Sequence, residues 1–154
     1  MKTQTALKRS ARAAGPPPDV VATVLAVAAR EDEILAIRVL MMPRDTNAQG
    51  TIFGGHILSL IDQAGAIAAH AAGGGTVVTV AMREVVFHEP VRVGDVVTCY
   101  ARVARLGRTS ITTRVRVQAR YPYDPADQPR DVTEAEVVYV SVDEHGQPCP
   151  IVST

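Results

Sequence analysis

Residues 54–75 read GGHILSLIDQAGAIAAHAAGGG, and this stretch decides the fold of the chain. The pattern predicts one long helix from His56 to about Ala72, entered through a glycine pair and stopped by three consecutive glycines. Apolar residues cover most of the circumference of this helix, so we expect it to be buried on several sides. A single sheet wrapped around one helix would provide that burial.

Strand patterns lie on both sides of the helix. They predict strands at residues 34–42, 76–88, 96–105, 109–121 and 132–142. A tight hairpin at Leu106-Gly107-Arg108 joins the third of these strands to the fourth. One early strand, one central helix and four meandering strands indicate an α+β domain with an antiparallel sheet. One face of the fourth strand carries Arg114, Arg116 and Arg120, and we expect that face to be solvated or to form an interface.

The composition argues against several classes of protein. The chain has 154 residues, enough for one domain with its own core, and sixteen basic residues balance sixteen acidic ones. This balance creates no field that would attract nucleic acid or an anionic membrane. No apolar run reaches the roughly 20 residues of a membrane span. Cys99 and Cys149 lack metal-type spacing, and Cys99 fits a buried strand position. Without a secretory signal, the chain is expected to be cytoplasmic and metal-free.

Residues 1–30 differ from the rest of the chain. They carry scattered basic residues and the proline run Pro16-Pro17-Pro18. The basic residues lack an amphipathic pattern, so we interpret them as a solvated tail rather than a targeting signal. We therefore expect residues 1–30 to be a flexible leader and residues 31–154 to form a single domain.

Asp62 is the first candidate for chemistry. A carboxylate in the middle of an apolar helix is costly unless it is paired, solvated or functional. Its helix face also carries the small residues Gly55, Ser59 and Ala66. Such a stripe leaves room for another chain or a narrow ligand. The alternatives are an exposed aspartate and an aspartate paired with an arginine.

The glycine-rich entry to the helix is the second candidate. Residues 47–55 read NAQGTIFGG and run into a helix N-terminus, where amide groups are unsatisfied and carry the positive end of the dipole. Amides there can stabilise a developing oxyanion. The alternative is that the two glycines only let the chain turn tightly into the helix.

Residues 42–55, MPRDTNAQGTIFGG, followed by Asp62 and Gly65, resemble the acyl-CoA thioesterases of the YciA and brain acyl-CoA hydrolase type. The similarity runs in consistent order over residues 34–145. It implies a hotdog fold, in which an antiparallel sheet wraps one long central helix. It also implies a homodimer with a continuous sheet, commonly assembled as a trimer of dimers, with active sites between subunits.

The same resemblance implies hydrolysis of acyl-CoA thioesters to free CoA and a carboxylic acid. No cofactor is implied, because coenzyme A is part of the substrate and the product. The catalytic aspartate falls on Asp62, which would act as a general base on water or attack directly to give an anhydride. Its paired asparagine falls on Asn47, and the amides of Gly54 and Gly55 would polarise the thioester carbonyl.

The hairpin supplies a candidate site for the phosphates of coenzyme A. Arginine matches phosphate geometry, so we expect Arg108 to bind them, with the hydroxyls of Thr109 and Ser110 as further donors. The alternative for Arg108 is an exposed turn arginine. His56 stands where relatives often carry tryptophan, and we expect it to form part of the substrate pocket wall.

Other departures from the family leave the catalytic motif intact but affect substrate preference; they are Arg83, His88 and Glu89.

Two further functions stay open. An acyl hydratase or dehydratase would need a histidine beside the aspartate, and His56 or His70 could serve. A non-catalytic acyl-CoA sensor usually carries a DNA-binding domain, and a leader of about 30 residues is too short for a helix-turn-helix module.

Overall fold

A computed structural model describes residues 30–152 of the chain. The predicted leader, residues 1–30, lies outside the described residues apart from Arg30, so that prediction stays a prediction. Within the described range, no helix is both long and apolar enough to cross a lipid bilayer.

The described residues form one antiparallel sheet and one long helix. In chain order the elements are β1 (Ile34–Leu40), a short 3-10 helix (Pro43–Asp45), α1 (Gly54–Ala71), β2 (Thr76–Arg83), β3 (Val96–Leu106), β4 (Ser110–Arg120) and β5 (Arg130–Val142). The strand order is β1-β3-β4-β5-β2, and every neighbouring pair is antiparallel. This confirms the α+β class and the antiparallel sheet around a central helix.

The helix packs on one face of the sheet and contacts all five strands. Its buried residues are Ile57, Leu60, Ile61, Ala64, Gly65, Ala68 and Ala69. The opposite side of α1 is open, with Ser59, Gln63 and Ile67 exposed. The expectation of burial on several sides is therefore wrong for the single chain, because one sheet covers only one side of a helix.

Several element boundaries differ from the predictions, most of them by one or two residues. The helix begins at Gly54 rather than at His56, so the glycine pair forms the first turn of the helix instead of preceding it. Strand β2 ends at Arg83 rather than continuing to residue 88, because Glu84 adopts a φ of 50°, which is incompatible with an extended strand. The hairpin between β3 and β4 is confirmed, and the amide of Gly107 donates to the carbonyl of Ser110 across it.

The arginine face of β4 is not uniformly solvated. Arg114 is exposed, but Arg116 is only 6% exposed, so the prediction is wrong for Arg116. Its guanidinium donates to both carboxylate oxygens of Glu33, at 3.1 and 2.7 Å, and lies 4.5 Å above the ring of Tyr100. The turn that precedes β1 brings Glu33 across the outer face of the sheet, and this long-range contact buries the charge.

Cys99 is confirmed as a buried core residue. It lies on β3 beneath the helix, and burial raises the pKa of its thiol to about 12. A thiol that stays protonated is a poor nucleophile. Cys99 therefore acts as a small apolar side chain in the core.

Candidate active site

Asp62 lies half-buried in the middle of α1, and two hydroxyl groups from the sheet approach it. Thr79 Oγ1 donates to Asp62 Oδ1 at 2.6 Å. The Tyr139 hydroxyl donates to the main-chain carbonyl of Asp62 at 2.6 Å and lies 3.3 Å from Oδ1. None of the ion pairs found among residues 30–152 involves Asp62. Within that range, no arginine pairs with the carboxylate.

The close approach of Tyr139 depends on Gly65. A Cβ atom at Gly65 would overlap the Tyr139 hydroxyl and would lie 2.7 Å from Thr113 Oγ1. Burial, together with the charge of Asp62, raises the pKa of Tyr139, so its hydroxyl keeps its proton at neutral pH. The tyrosine therefore acts as a hydrogen-bond donor beneath the helix.

Sequence reasoning missed Thr79 and Tyr139. The two residues are direct cross-strand partners on β2 and β5, so their side chains project from the same face of the sheet towards α1. The strand patterns place both residues on predicted strands. The register that sets them opposite each other, and opposite Asp62, depends on tertiary packing.

The start of α1 presents two main-chain amides that donate to no acceptor found among residues 30–152. Phe53 is the N-cap and makes no side-chain cap hydrogen bond, while its own amide donates to the carbonyl of Asp45. Gly54 and Gly55 are the first two helical residues, so their N–H groups have no acceptor within the helix. A Cβ atom at Gly55 would lie 2.8 Å from the Phe53 ring, so the ring would have to move to admit a side chain there.

Asn47 organises the loop that leads into the helix. Its Nδ2 donates to Thr51 Oγ1 at 2.9 Å, and its Oδ1 accepts from the amides of Gln49 and Thr51 at 3.0 and 3.1 Å. These bonds hold the side chain within its own loop. No hydrogen bond among the described residues joins it to Asp62, so its catalytic role stays a prediction.

Within one chain, the aspartate and the free amides are far apart. Eight residues separate Gly54 from Asp62, which corresponds to about 12 Å along a helix with a rise of 1.5 Å per residue. A single thioester carbonyl cannot contact both groups at that distance. One chain therefore contains both the aspartate and the amides, but the two groups do not meet within that chain.

A cavity of about 330 Å³ adjoins the N-terminus of α1. Its lining residues are Thr51, Ile52, Gly54, Ile57, Phe87, His88, Glu89, Pro90 and Val91. The floor is apolar, and the cavity includes His88 and Glu89, two of the positions that depart from the family pattern. Arg83 does not line this cavity; it pairs with Glu136 on the outer face of the sheet, at 3.3 Å.

The histidines of α1 have partners other than Asp62. His56 Nε2 lies 3.9 Å from Asp45 Oδ1, and His70 Nδ1 lies 3.3 Å from the carbonyl oxygen of Gly75. Neither is bonded to the aspartate in the described contacts. This arrangement weighs against the hydratase alternative, which needs a histidine beside Asp62.

The predicted CoA-binding residues lie together at the β3–β4 hairpin. Arg108 is exposed, and Thr109 and Ser110 are half-buried. The main-chain carbonyl of Arg108 accepts a hydrogen bond from the amide of Ile151, so the C-terminal segment braces the hairpin. The guanidinium of Arg108 makes no hydrogen bond or ion pair among the described residues. Contact with coenzyme A stays a prediction.

Residues 30–152 contain no group of three or more His, Cys, Asp or Glu side chains arranged to hold a metal ion. The groups that the described residues do place at the site are Asp62, hydroxyl groups and main-chain amides. These groups suit proton transfer and oxyanion stabilisation.

Comparison with known proteins matches this architecture. A family model described as the thioesterase superfamily matches residues 49–123. The acyl-CoA thioester hydrolase YciA of Salmonella typhimurium is 46% identical over 118 residues, which cover 76% of this chain and 89% of that protein. YciA of Escherichia coli is 45% identical over 115 residues, with coverage of 74% and 87%.

Solved structures give the same result. Cj0915, a hexameric hotdog fold thioesterase of Campylobacter jejuni, is 45% identical with a TM-score of 0.74, covering 80% of this chain and 93% of that chain. HI0827, a hexameric broad specificity acyl-coenzyme A thioesterase, is 42% identical with a TM-score of 0.72, covering 77% and 81%. The fold and the site define a hotdog-fold thioesterase. Within that class, the chain belongs to the family of the YciA acyl-CoA thioester hydrolases.

Proposed function

We propose that this protein hydrolyses acyl-CoA thioesters to free CoA and a carboxylic acid, with Asp62 as the group that drives the reaction. The observation that carries the proposal is a half-buried carboxylate with no cationic partner in the described contacts, held by the hydroxyl of Thr79. A carboxylate in that setting is available to take a proton or to attack a carbonyl. The family to which the chain belongs supports the choice of substrate.

Two routes are consistent with the geometry. In the first, Asp62 takes a proton from water, the hydroxide attacks the thioester carbonyl, and the C–S bond breaks as the thiolate leaves and is protonated. In the second, Asp62 attacks the carbonyl itself, the C–S bond breaks as the thiolate leaves and is protonated, and water hydrolyses the resulting anhydride to the carboxylic acid and free Asp62. Both routes pass through a tetrahedral oxyanion, which the amides of Gly54 and Gly55 would stabilise. Neither route needs a cofactor.

The active site in this proposal is shared between two subunits of a dimer. Because about 12 Å separates Asp62 from the amides of its own helix, the amides and Asn47 would come from the partner. Strand β2 is an edge of the sheet, and Val78 and Val80 on it are exposed. Pairing of two β2 strands would continue the sheet and bring the partner beside Thr79, and therefore beside Asp62.

The hexameric assembly of related structures supports a trimer of such dimers. The nucleotide of coenzyme A would lie at the hairpin, against Arg108 and the hydroxyls of Thr109 and Ser110. The acyl group would enter the cavity beside Phe87, with His56 near its wall. A cytoplasmic location fits the acyl-CoA substrate and the balanced charge of the chain.

The test of this proposal is release of the free CoA thiol from acyl-CoA substrates of several chain lengths. Asp62→Asn keeps the size of the side chain but removes the base or nucleophile. We expect kcat to fall by a factor on the order of 10² to 10⁴ while KM changes little. Gln63→Ala, at the exposed neighbouring position on the same helix, is the control and should keep wild-type activity.

Activity within threefold of wild type in correctly folded Asp62→Asn would eliminate Asp62 as the catalytic group. If the wild-type protein binds acyl-CoA but releases no thiol, the sensor function replaces the hydrolase. Proton exchange or hydration of an enoyl-CoA by the wild-type protein would favour the hydratase.

A further inference from the structure

Tyr139 is a buried tyrosine whose hydroxyl donates a hydrogen bond to the backbone of α1, the helix that carries Asp62. Tyr139 is 1% exposed, and its hydroxyl oxygen lies 2.6 Å from the main-chain carbonyl oxygen of Asp62. The carbonyl groups in the middle of a helix already accept a bond from the amide four residues later. The short bond from Tyr139 is therefore a second bond to this carbonyl, and it joins the sheet to the helix at the position of Asp62.

The same hydroxyl also constrains the carboxylate. It lies 3.3 Å from Asp62 Oδ1, the oxygen that accepts from Thr79 at 2.6 Å. Thr79 and Tyr139 face each other in the register of β2 and β5, so a single strand pairing sets both hydroxyls. One holds the carboxylate and the other holds the backbone from which it projects.

The absence of a side chain at Gly65 makes this contact possible. A Cβ atom there would overlap the Tyr139 hydroxyl and crowd Thr113 Oγ1. Glycine in the middle of a helix is destabilising relative to alanine. The helix accepts that cost at the position where the tyrosine passes beneath it.

We infer that Tyr139 is a positioning residue for Asp62: its hydroxyl fixes the height and orientation of the catalytic carboxylate above the sheet, and Gly65 admits it. The inference rests on the proposed function, since it concerns the precision of the same site. Tyr139 is 1% exposed, so the role inferred for it requires no contact with the substrate. Because it acts through Asp62, its removal affects the chemical step rather than substrate binding.

The first test is Tyr139→Phe, measured by thiol release. We expect kcat to fall roughly 10- to 100-fold, the usual cost of misplacing a catalytic group by a fraction of an ångström to 1 Å, with KM within twofold of wild type. Tyr100→Phe removes the hydroxyl of another fully buried tyrosine, on the outer face of the sheet, and should leave kcat unchanged. A wild-type kcat in folded Tyr139→Phe would overturn the inference.

A double-mutant cycle separates positioning from general stabilisation. If Tyr139 acts through Asp62, Tyr139→Phe should not lower the residual kcat of Asp62→Asn any further. A loss in the Asp62→Asn background as large as the loss in wild type would show that the tyrosine acts independently of the carboxylate, and would refute the inference.

Gly65→Ala gives a second variant if Tyr139→Phe fails to fold, because it keeps the tyrosine but displaces its hydroxyl. It should lower kcat in wild type and have no further effect in Asp62→Asn. Equal losses in both backgrounds would again overturn the inference. The proposed function fails separately, if wild-type protein releases no thiol or Asp62→Asn retains full activity.

Discussion

At the scale of single residues, Asp62 is held by hydrogen bonds from hydroxyl groups and not by an ion pair with a basic side chain of the described residues. The hydroxyls of Thr79 and Tyr139 donate to it, and they leave its net charge in place. A salt bridge to arginine would have held the carboxylate in an ion pair. The residue-level contacts therefore favour a reactive carboxylate over a structural one.

Arg108 is the other residue whose proposed role can be tested by a single substitution. Its exposed guanidinium has no bonded partner among the described residues, so we expect Arg108→Ala to raise KM for acyl-CoA roughly tenfold with kcat nearly unchanged, because the nucleotide lies far from the breaking bond. Steady-state kinetics with acyl-CoA and with acyl-pantetheine, which lacks the nucleotide, measure this. Arg105→Ala, an exposed arginine on β3, is the control. Equal losses on both substrates would show that Arg108 does not bind the nucleotide.

At the scale of elements, the start of α1 is a place where a proline substitution can remove one main-chain N–H group without breaking the helix. Proline is tolerated at the first helical position, and Phe53 already has the extended backbone, with φ −61° and ψ 128°, that a residue before proline prefers. Gly54→Pro should therefore keep the fold but delete an oxyanion donor. We expect kcat to fall roughly 10²-fold, the usual effect of losing one such donor.

Gly54→Ala is the matched control for this variant, because it keeps the N–H group. A Cβ atom at Gly54 would meet the Phe87 ring at 3.7 Å, an ordinary contact distance. Alanine should therefore preserve activity. If proline and alanine behave alike in thiol release, the Gly54 amide has no part in catalysis.

The outer face of the sheet predicts a pH dependence of stability. Hydrogen bonds from Arg116 lower the pKa of Glu33, against the opposing effect of burial. The pair therefore contributes its full free energy above the ordinary glutamate pKa, near 4.5, and this contribution is lost as pH falls through the lowered value. Glu33→Gln should reduce the free energy of unfolding by roughly 3 kcal/mol at pH 7.

Denaturant unfolding across pH measures this difference. The gap between wild type and Glu33→Gln should shrink below about pH 4, as Glu33 itself becomes protonated in the wild-type protein. Glu31→Gln, at an exposed position of the same turn, should match wild type throughout. A gap that persists unchanged at pH 3 would show that the charge of Glu33 is not the cause.

At the scale of the whole molecule, a shared site predicts complementation between two inactive subunits. A dimer of one Asp62→Asn and one Gly54→Pro subunit has one site with both defects and one site with none. Random pairing on co-expression in equal amounts makes half of the dimers mixed, so we expect about one quarter of wild-type thiol release. Activity no higher than the mean of the two separate variants would place each site within a single chain.

The sequence by itself determined the parts of this protein that depend on local patterns. Periodicity and glycine punctuation predicted the helix around Asp62, the five strands and the hairpin before Ser110. The lone carboxylate and the glycine entry were visible as candidates, and the family motif in residues 42–55 connected them to thioester hydrolysis.

Only the tertiary structure decided which distant groups meet. Thr79 lies 17 residues from Asp62 in the chain, Tyr139 lies 77 residues away, and Glu33 is 83 residues from Arg116. Period-2 and period-3.6 patterns show which face a side chain occupies, but they do not give the register of β2 on β5 or the depth of the helix above them. Those are set by packing across the whole sheet, so only the three-dimensional structure shows which hydroxyls contact Asp62.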